Sequence, residues 1–576
     1  MMEEFFARGK QLREQGLLSR AEAEFQRAVD LAPQSARAIN ALGLVIKEQF
    51  RQKEAVDWFR RAIRCRPDYA AAWLNLGNTW SELGADEDAE HCLRRAIEIN
   101  PGYAVAWHDL GAWYEQRKRL EEAAQAYRRA MEIQPKRPHF RASLENARRH
   151  LCDWSTWPGS LDELLQVTRD CLDRGLPSPL WPAASPRFPT TNEDRLRIAR
   201  DYARRFQPLG DIPAWTMSDR SDVLPGRSRP ERLRIGFLSH EFGQFIVSST
   251  MQGLYRRFDR DRFEIFGFAS SPDDGSDLRR RISADCDHFI EIADLSPSDA
   301  ARRIAAEGIH ILLDLNSYMP GGRPAIAAHR PAPIQISYRF PGTMGAEWID
   351  YILADEITIP PEHDRFYHET PLRLPGPYLV TTDECRIPAD GPDRTSFGLP
   401  PEGFVFCSFN QTHKLTPQIF EVWMRILRAV PGSVLWQIEG NPDVRRNLRN
   451  EAEARGISGL RIVFADKLPF EQHLARYRHA DLFLDTQTHG AIVTAFDVLR
   501  MGTPLLTFLG DTFTSRAPAS LITAAGIPEL AVSDLATYEQ TAIRLATQPR
   551  ELAEIRGRLV AARSTSPLYY APRFGR

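Results

Sequence analysis

Prolines recur at a fixed spacing of 34 residues along the first quarter of this chain, and this period restricts the fold more than any other feature. A period of 20 to 50 residues is typical of stacked helical or strand units that bury their cores against their neighbours. Other residue types return in the same phase. The recurring positions are Pro33, Pro67, Pro101 and Pro135; Phe5, Ile39, Trp73 and Trp107; Gly9, Gly43, Gly77 and Gly111; Ala21, Ala55, Ala89 and Ala123; and Phe25, Phe59, Leu93 and Tyr127.

The pattern within each unit predicts a helical hairpin. Glycine and alanine let two helices approach closely, an aromatic side chain fills the remaining gap, and proline ends the second helix. The pattern resembles the tetratricopeptide repeat, with four copies over residues 2 to 135 and a capping helix from Pro138 to His150. We therefore expect an α-solenoid over residues 1–150, with tryptophans that pack the core. The concave face of residues 1–135 would capture a protein partner.

Length and composition predict a soluble, multidomain, cytoplasmic protein. The chain has 576 residues, of which 43% are apolar and 26% charged, so it can bury several cores. A formal net charge of −2 provides no basic field for nucleic acid. The seven cysteines form no CxxC pair, which argues against disulfides and structural zinc. No secretory signal or membrane span is evident.

After the repeats, the sequence indicates a connector and then two α/β lobes. Residues 151–230 are rich in proline and serine and predict a connector with short helices at Leu161–Leu172 and Glu193–Phe206. Residues 231–380 and 381–576 then alternate apolar strands with helices, which is typical of buried parallel sheets. Two Rossmann-like lobes in tandem are the architecture of the GT-B fold. The predicted strands are LRIGFLS, FEIFGFAS and IHILLDLNS in the first lobe, and FVFCSFN, VLWQIEG, RIVFAD, LFLDT and PLLTFLG in the second.

Ligands of open α/β sheets bind beyond the carboxyl ends of the strands, so the residues that follow each strand are the candidates for chemistry. Gln411 and Lys414 follow one strand of the second lobe, and His489 follows another. The next helix begins near Thr494, where free N–H groups suit a phosphate. Lys414 would stabilise charge on a leaving phosphate. Asp497, one turn into the helix, either binds ribose hydroxyls or simply favours the helix start.

Five longer motifs, together with the Cys152–Trp154 segment of the connector, resemble the catalytic region of protein O-linked N-acetylglucosamine transferases and their SPINDLY-like relatives. That resemblance implies a metal-independent enzyme without a cofactor, which transfers a sugar from a nucleotide-sugar to Ser or Thr of proteins bound partly through the repeats. The motifs are PDDGSDLR, RPAPIQISYRFPGT, FCSFNQTHKLTPQIFEVWMRILRAVPGSVLW, LDTQTHGAIVTAFDVLRMGTPLLT and TSRAPASLI.

The resemblance also implies roles for individual residues. Lys414 corresponds to the lysine on the diphosphate, and Gln411 belongs to the same motif. His473 corresponds to a histidine near the nucleotide base, unless it is a surface residue of its helix. Thr494 corresponds to a phosphate-binding hydroxyl and Asp497 to the carboxylate that binds ribose. Pro341, Gly342 and Thr343 correspond to a loop at the cleft, although Pro341 and Gly342 also suit an ordinary turn.

The chain departs from the family pattern around the donor. Phe245 stands where relatives usually have an active-site histidine, and Ile492 and Val493 replace two residues of a His-Thr-Thr triplet, with His489 displaced. These changes suggest either an inactive homologue or a different donor. Some related transferases modify flagellin with nonulosonic acids from CMP donors. Such a donor carries a single phosphate, which would suit a site that has lost phosphate-binding groups. Relatives also usually continue beyond the end of this chain into a closing helix, so we expect a shortened C-terminal segment.

The sequence identifies no obvious general base. His240, after the first strand, and Glu291, at the end of the strand HFIEI, are the candidates, and each also suits a purely structural role. Two function hypotheses therefore stand beside each other. The first is a protein glycosyltransferase, and the second is a noncatalytic scaffold that retains a nucleotide pocket.

Overall fold

The computed structural model describes residues 1–206, 232–379, 381, 391–438 and 440–569. Within them the chain forms two units. The first unit holds Met1–Arg148, and the second holds the connector helices and both parallel sheets. The ends of the predicted connector and of the chain, residues 207–231 and 570–576, lie outside the described residues, as does Cys385.

The first unit consists of helical hairpins in the phase that the repeat predicts. Each glycine faces the recurring large residue of the next helix so closely that a Cβ there would lie 2.7 to 2.9 Å from that side chain. Trp73 and Trp107 each donate their indole N–H to the carbonyl of the preceding repeat proline, at 2.9 and 3.0 Å. The helices are α1 (Met2–Glu14), α2 (Leu18–Leu31), α3 (Ala36–Glu48), α4 (Gln52–Cys65), α5 (Ala70–Glu82), α6 (Asp86–Ile99), α7 (Ala104–Gln116), α8 (Leu120–Ile133) and α9 (Pro138–Leu151).

The connector contains two main helices at the predicted places. They are α10 (Gly159–Asp173) and α11 (Asn192–Ala203), and a short 3-10 turn, Arg204–Phe206, follows α11. The side chain of Thr191 caps α11 by accepting the backbone N–H of Asp194.

The first sheet has seven parallel strands in the order β3-β2-β1-β4-β5-β6-β7. Its predicted strands are all present. Three short strands that the sequence did not predict, β5 to β7, extend one side. The strands are β1 (Leu233–Ser239), β2 (Phe263–Ala269), β3 (His288–Glu291), β4 (Ile311–Asp314), β5 (Ile334–Ser337), β6 (Tyr351–Ala354) and β7 (Thr370–Arg373), with helices α12 (Ile246–Met251), α13 (Asp277–Asp285), α14 (Pro297–Ala306) and α15 (Pro324–Ala328).

The second sheet has six parallel strands in the order β10-β9-β8-β11-β12-β13. Both sheets therefore have the doubly wound order of a dinucleotide-binding fold, and in each the strand order reverses once. The strands are β8 (Val405–Ser408), β9 (Val434–Ile438), β10 (Ile462–Ala465), β11 (Leu482–Leu484), β12 (Leu505–Phe508) and β13 (Ala531–Val532). The helices are α16 (Pro417–Ala429), α17 (Pro442–Ala454), α18 (Phe470–Arg476), α19 (Val493–Arg500), α20 (Phe513–Ala524), α21 (Leu535–Thr547) and α22 (Pro549–Ala562).

The two lobes contact each other within the second unit. Helix α12 of the first lobe packs against α19 of the second. The side chain of Arg516 in α20 donates to the carbonyl of Ile357 at 2.6 Å, and Ser520 in the same helix donates to the carboxylate of Asp355. These contacts hold α19 and α20 beside the first lobe.

Candidate functional site

The strand order of the second sheet reverses between β8 and β11, and Lys414 lies at this switch point. Gln411 is exposed and precedes the 3-10 turn Thr412–Lys414 that follows β8. The ammonium of Lys414 donates to the carbonyl of Gly490 at 2.9 Å, on the loop that leads from β11 into α19. Burial lowers the pKa of Lys414 to about 8, and the nearby carboxylate of Asp485 opposes that shift. Lys414 is therefore mostly cationic at neutral pH.

Asp485, the residue directly after β11, organises the loop that meets Lys414. Its buried carboxylate accepts from the side chains of Asn410 and Thr507, and from the backbone N–H groups of Thr486 and Ala491, all at 2.7 to 2.8 Å. Burial raises the pKa of Asp485 despite these donors. The carboxylate thereby fixes both ends of the loop that supplies the Gly490 carbonyl.

The N-terminus of α19 is suited to bind an anion. Ile492 occupies the N-cap position and its apolar side chain cannot cap the helix, so within the described part of the chain the first N–H groups have no side-chain cap. Thr494 is the second helical residue and stays partly exposed. The helix start and the Lys414 ammonium border the same loop. Together they offer a dipole end, a hydroxyl and a cation to a phosphate.

Asp497 lies on α19 within reach of His473 on α18. The His473 Nε2 atom is 3.9 Å from Asp497 Oδ2. Burial lowers the pKa of His473 to about 3, and raises that of Asp497 to about 7. Because Arg476 donates to Nδ1 of His473, the neutral ring carries its proton on Nε2, which faces Asp497. The two residues are therefore a polar pair and not an ion pair at neutral pH.

His489 lies in a cluster of histidines beside Lys414. Its ring centroid is 6.1 Å from that of His413, which in turn lies 4.6 Å from the ring of His150. Burial and the neighbouring cations hold the pKa of His489 and of His413 well below the usual range, so both rings are neutral. His489 can therefore act through neutral-imidazole hydrogen bonds and contributes no charge.

The start of the connector supports the turn that carries Lys414. Thr412 donates its hydroxyl to the carbonyl of His150 at 2.7 Å, and the Cys152 thiol lies 3.8 Å from the carbonyl of Thr412. The Trp154 ring packs on Phe420 of α16 with centroids 5.3 Å apart. The Cys152–Trp154 segment therefore packs directly against the motif that contains Lys414, which explains why both belong to the same pattern.

His240 lies at the reversal point of the first sheet, between β1 and β4. Its backbone N–H donates to the side-chain oxygen of Asn316 at 2.7 Å, and this oxygen also accepts from Ser239 at 3.1 Å. Asp314, at the end of β4, accepts from the N–H groups of Asn316 and Ser317. Burial raises the pKa of Asp314 to about 6. A second polar cluster therefore lies at the carboxyl edge of this sheet.

The hydroxyl of Thr343 is committed to the structure of its own loop. It donates to the buried carboxylate of Glu369 at 2.7 Å and accepts the N–H of Gly345 at 3.0 Å. Pro341 and Gly342 are partly exposed, and the Gly342 N–H donates to the Phe340 carbonyl. The structure therefore gives Thr343 a loop-fixing role and leaves Pro341 and Gly342 as the accessible part of this loop.

Glu291 lies away from the reversal point. It ends β3, the edge strand, which β2 and β1 separate from β4. Its carboxylate forms a two-oxygen ion pair with Arg279 at 2.6 and 2.8 Å. This pairing gives Glu291 a structural role and does not place it with His240.

Phe245 precedes α12, where its side chain is 38% exposed. The ring is 6.1 Å from that of His240. Since α12 packs against α19, the apolar replacements Phe245, Ile492 and Val493 belong to two helices in contact across the lobes. The donor-side departures from the family pattern are therefore grouped in space.

Sequence reasoning missed several polar residues at these edges. Asp485, Asp314 and Asn316 each follow or end a strand and carry the hydrogen bonds described above. Their signal was available, since each is a polar residue at the end of an apolar strand. The histidine cluster and the hydrogen bond of Thr343 to Glu369 involve residues distant in sequence, so no local sequence signal predicts them.

The described residues contain neither a metal-binding cluster nor a helix that could cross a membrane. Among them, no group of three or more His, Cys, Asp or Glu side chains is arranged to hold a metal ion. No helix in the same parts of the chain has the length and apolar character needed to span a membrane.

Comparison with known proteins gives a family match over most of the chain. A sequence profile described as Glycosyl transferase family 41 matches residues 151–389 and 391–575. Tetratricopeptide repeat profiles match residues 6–70, 70–103 and 104–137.

Curated relatives match the chain over about two thirds or more of its length. A probable UDP-N-acetylglucosamine–peptide N-acetylglucosaminyltransferase, SEC of Arabidopsis thaliana, is 32% identical over 431 residues, which is 73% of this chain and 44% of the relative. The Caenorhabditis elegans UDP-N-acetylglucosamine–peptide N-acetylglucosaminyltransferase is 28% identical, covering 73% of this chain and 46% of that protein. A probable enzyme of the same kind, SPINDLY of Solanum lycopersicum, is 29% identical, covering 67% and 41%. The chain thus spans under half the length of these relatives.

Among solved structures, an O-GlcNAc transferase mutant of Thermobaculum terrenum aligns with a TM-score of 0.65 at 24% identity. The alignment covers 94% of this chain and 95% of that one. It confirms the predicted fold, an α-solenoid followed by two Rossmann-like lobes of the GT-B type.

Proposed function

Because the chain belongs to glycosyltransferase family 41, we propose that it transfers a sugar from a nucleotide-sugar to Ser or Thr hydroxyls of a protein captured by its repeats. The observation that carries the proposal is the contact of the Lys414 ammonium with the loop that enters α19. A cation and an uncapped helix N-terminus meet there at the switch point of a doubly wound sheet.

The transfer requires the acceptor oxygen to attack the anomeric carbon while the bond to the phosphate oxygen breaks. Negative charge then develops on the departing nucleotide. Lys414 and the N–H groups at Thr494 would stabilise that charge without rearrangement. Asp497 lies about one turn further along α19, where its carboxylate would accept hydrogen bonds from ribose hydroxyls, and neutral His473 would contact the nucleotide beside it.

The acceptor hydroxyl must also lose a proton, and His240 is the described side chain at the first-lobe switch point that best suits this task. The bond of its backbone N–H to Asn316 holds the residue at this edge of the sheet. We assign it as the candidate base, in preference to the ion-paired Glu291.

The altered residues around the donor site favour a donor other than UDP-N-acetylglucosamine, the substrate for which the relatives are named. Phe245 and Val493 offer no hydrogen bonds where relatives place a ring nitrogen and a hydroxyl. A missing partner for a buried polar group costs about 1 to 3 kcal/mol, or roughly 5- to 150-fold in affinity. We therefore propose a CMP-nonulosonic acid as the donor, with flagellin as the candidate acceptor.

Calorimetric titration with UDP, CMP and their sugar conjugates tests the donor. We expect the CMP conjugate to bind more tightly than UDP-N-acetylglucosamine. Low-micromolar binding of UDP-N-acetylglucosamine would show that the altered-donor proposal is wrong and that the chain binds the donor for which its relatives are named.

We place the reaction in the cytoplasm. The described cysteines are unpaired, which suits a reducing compartment. The alternative, a noncatalytic scaffold, predicts nucleotide binding without turnover. Measuring donor hydrolysis in the presence and absence of acceptor separates these two functions.

A further inference from the structure

Arg339 has an unusual backbone conformation at the functional edge of the first sheet. It lies two residues beyond β5, and its φ angle is +73°, the largest positive value of any non-glycine residue in the described chain. This left-handed region is disfavoured for a side chain with a Cβ, and residues held in it cluster at functional sites. A glycine would fit the backbone better, so the side chain itself needs an explanation.

The guanidinium of Arg339 has few partners. Its Nη2 atom donates to the hydroxyl of Thr250 at 3.1 Å, while Nε and Nη1 are enclosed and bond to no group among the described residues. Two other arginines of the lobe do form ion pairs: Arg279 pairs with Glu291, and Arg330 pairs with both oxygens of Asp350. Among the described residues no carboxylate lies within 4.0 Å of Arg339. The carboxyl group of Glu241 is near enough for Arg339 to lower its pKa, against the larger effect of burial, but it forms no ion pair or hydrogen bond with the guanidinium.

The position of Arg339 links it to the donor site. Thr250 belongs to α12, the helix that Phe245 precedes, and α12 packs against α19. The phosphate candidates Lys414 and Thr494 lie on the α19 side of this contact, in the second lobe. A sugar attached to that phosphate therefore extends toward α12 and the edge that carries Arg339.

We propose that Arg339 binds a carboxylate on the donor sugar and so selects acidic sugars. The inference rests on the proposed use of a nucleotide-sugar. The planar fork of a guanidinium matches both oxygens of a carboxylate. The side chain has enough rotatable bonds to turn Nε and Nη1 toward a ligand, and it keeps part of its surface exposed. A neutral sugar leaves Nε and Nη1 without a charged acceptor, which disfavours its binding.

Matched ligands test this inference in calorimetry on the full chain. UDP-glucuronate and UDP-glucose differ in their sugars only by a carboxylate in place of a hydroxymethyl group, and CMP-N-acetylneuraminate is compared with CMP. We expect the wild type to bind the acidic member of a pair about 10- to 100-fold more tightly. Arg339→Gly should reduce that preference to within about threefold and leave binding of the nucleotide alone unchanged.

The variants control for folding. Glycine accepts the left-handed backbone, so Arg339→Gly should unfold at the wild-type temperature or above. Lys118→Gly is the matched control, because it removes an exposed cation with φ +62° from the repeat unit. It should leave the ligand preference intact. Arg339→Lys, which keeps the charge and loses the fork, should retain only part of the preference.

Three results would overturn the inference. They are a wild type that does not distinguish acidic from neutral sugars, a preference that survives in Arg339→Gly, and an equal loss of affinity for the nucleotide alone, which would assign Arg339 to the phosphate. Absence of any nucleotide binding would overturn this inference and the proposed function together. The calorimetry contains no acceptor protein. If the wild type prefers acidic sugars there, but a separate assay with an acceptor shows no sugar transfer, only the proposed function is refuted.

Discussion

Replacing Lys414 with methionine removes the ammonium from the candidate site and keeps an unbranched side chain of similar length. In the wild type the ammonium donates to the Gly490 carbonyl at 2.9 Å, where the loop enters α19. Because burial lowers the pKa of Lys414 to about 8, roughly nine tenths of the molecules carry the charge at pH 7. The substitution therefore removes a cation that is present in most molecules under assay conditions.

The expected losses follow from the environment of the ammonium. Removing one preorganised group that stabilises a leaving-group charge costs on the order of 100- to 1000-fold in kcat. The effect on folding is smaller. A pKa reduced from 10.5 to about 8 corresponds to a net electrostatic cost of roughly 3 kcal/mol, which methionine relieves, whereas the Gly490 carbonyl loses its donor at about 1 to 3 kcal/mol. These changes oppose each other, so Tm should change by only a few degrees.

The assay compares kcat/KM for donor hydrolysis and for transfer in the wild type, Lys414→Met and the exposed control Lys53→Met. Wild-type activity should also decline above pH 8 as the ammonium loses its proton, a decline that Lys414→Met lacks. If the methionine variant is within about threefold of the wild type at pH 7 and binds nucleotide equally, Lys414 has no part in the mechanism.

Three further substitutions have calculable outcomes. The pKa of Asp497 is raised to about 7, so if its ionised form binds ribose, nucleotide affinity should fall up to about tenfold per pH unit below 7. Calorimetry on Asp497→Asn should show no such pH dependence. A wild-type nucleotide affinity that stays constant between pH 5.5 and 8 would contradict this role. In Gly490→Ala the new Cβ would lie 2.4 Å from Pro518, so chemical denaturation should show a loss of about 1 to 3 kcal/mol and transfer should fall; wild-type stability would show that the loop adjusts freely. In Gly111→Ala the Cβ would lie 2.7 Å from the Tyr127 ring, and denaturation of the repeats should show a similar loss, with an unchanged midpoint as the contrary result.

The elements that could be predicted from sequence are those whose signal is local. The 34-residue period predicted both the helices and the contact between each glycine and the recurring large residue. Long apolar strands such as Leu233–Ser239 were equally clear. The missed strands are short, and β7, an edge strand, contains Pro371, which an edge tolerates because its N–H side can remain unpaired. Two-residue β13 carries too little pattern to be recognised.

The candidate site divides in the same way. The places of Lys414 and Asp497 follow from the rule that ligands bind beyond the carboxyl ends of strands, which needs only the strand ends. Pairings between distant residues could not be predicted. The bond of Thr343 to Glu369 and the ion pair of Glu291 with Arg279 arise from tertiary packing. The left-handed backbone conformation of Arg339 also could not be predicted, because arginine has no preference for that conformation.

The most direct test of the proposed transferase is intact-mass spectrometry of a protein acceptor, with flagellin as the first candidate. The acceptor is incubated with the chain and with either a CMP-nonulosonic acid or UDP-N-acetylglucosamine. We predict that the acceptor gains the mass of one or more sugar residues on Ser or Thr with the wild type, and gains none with Lys414→Met. If candidate acceptors gain no mass from any nucleotide-sugar, while the folded protein still binds the nucleotide, the chain is a scaffold and not a transferase.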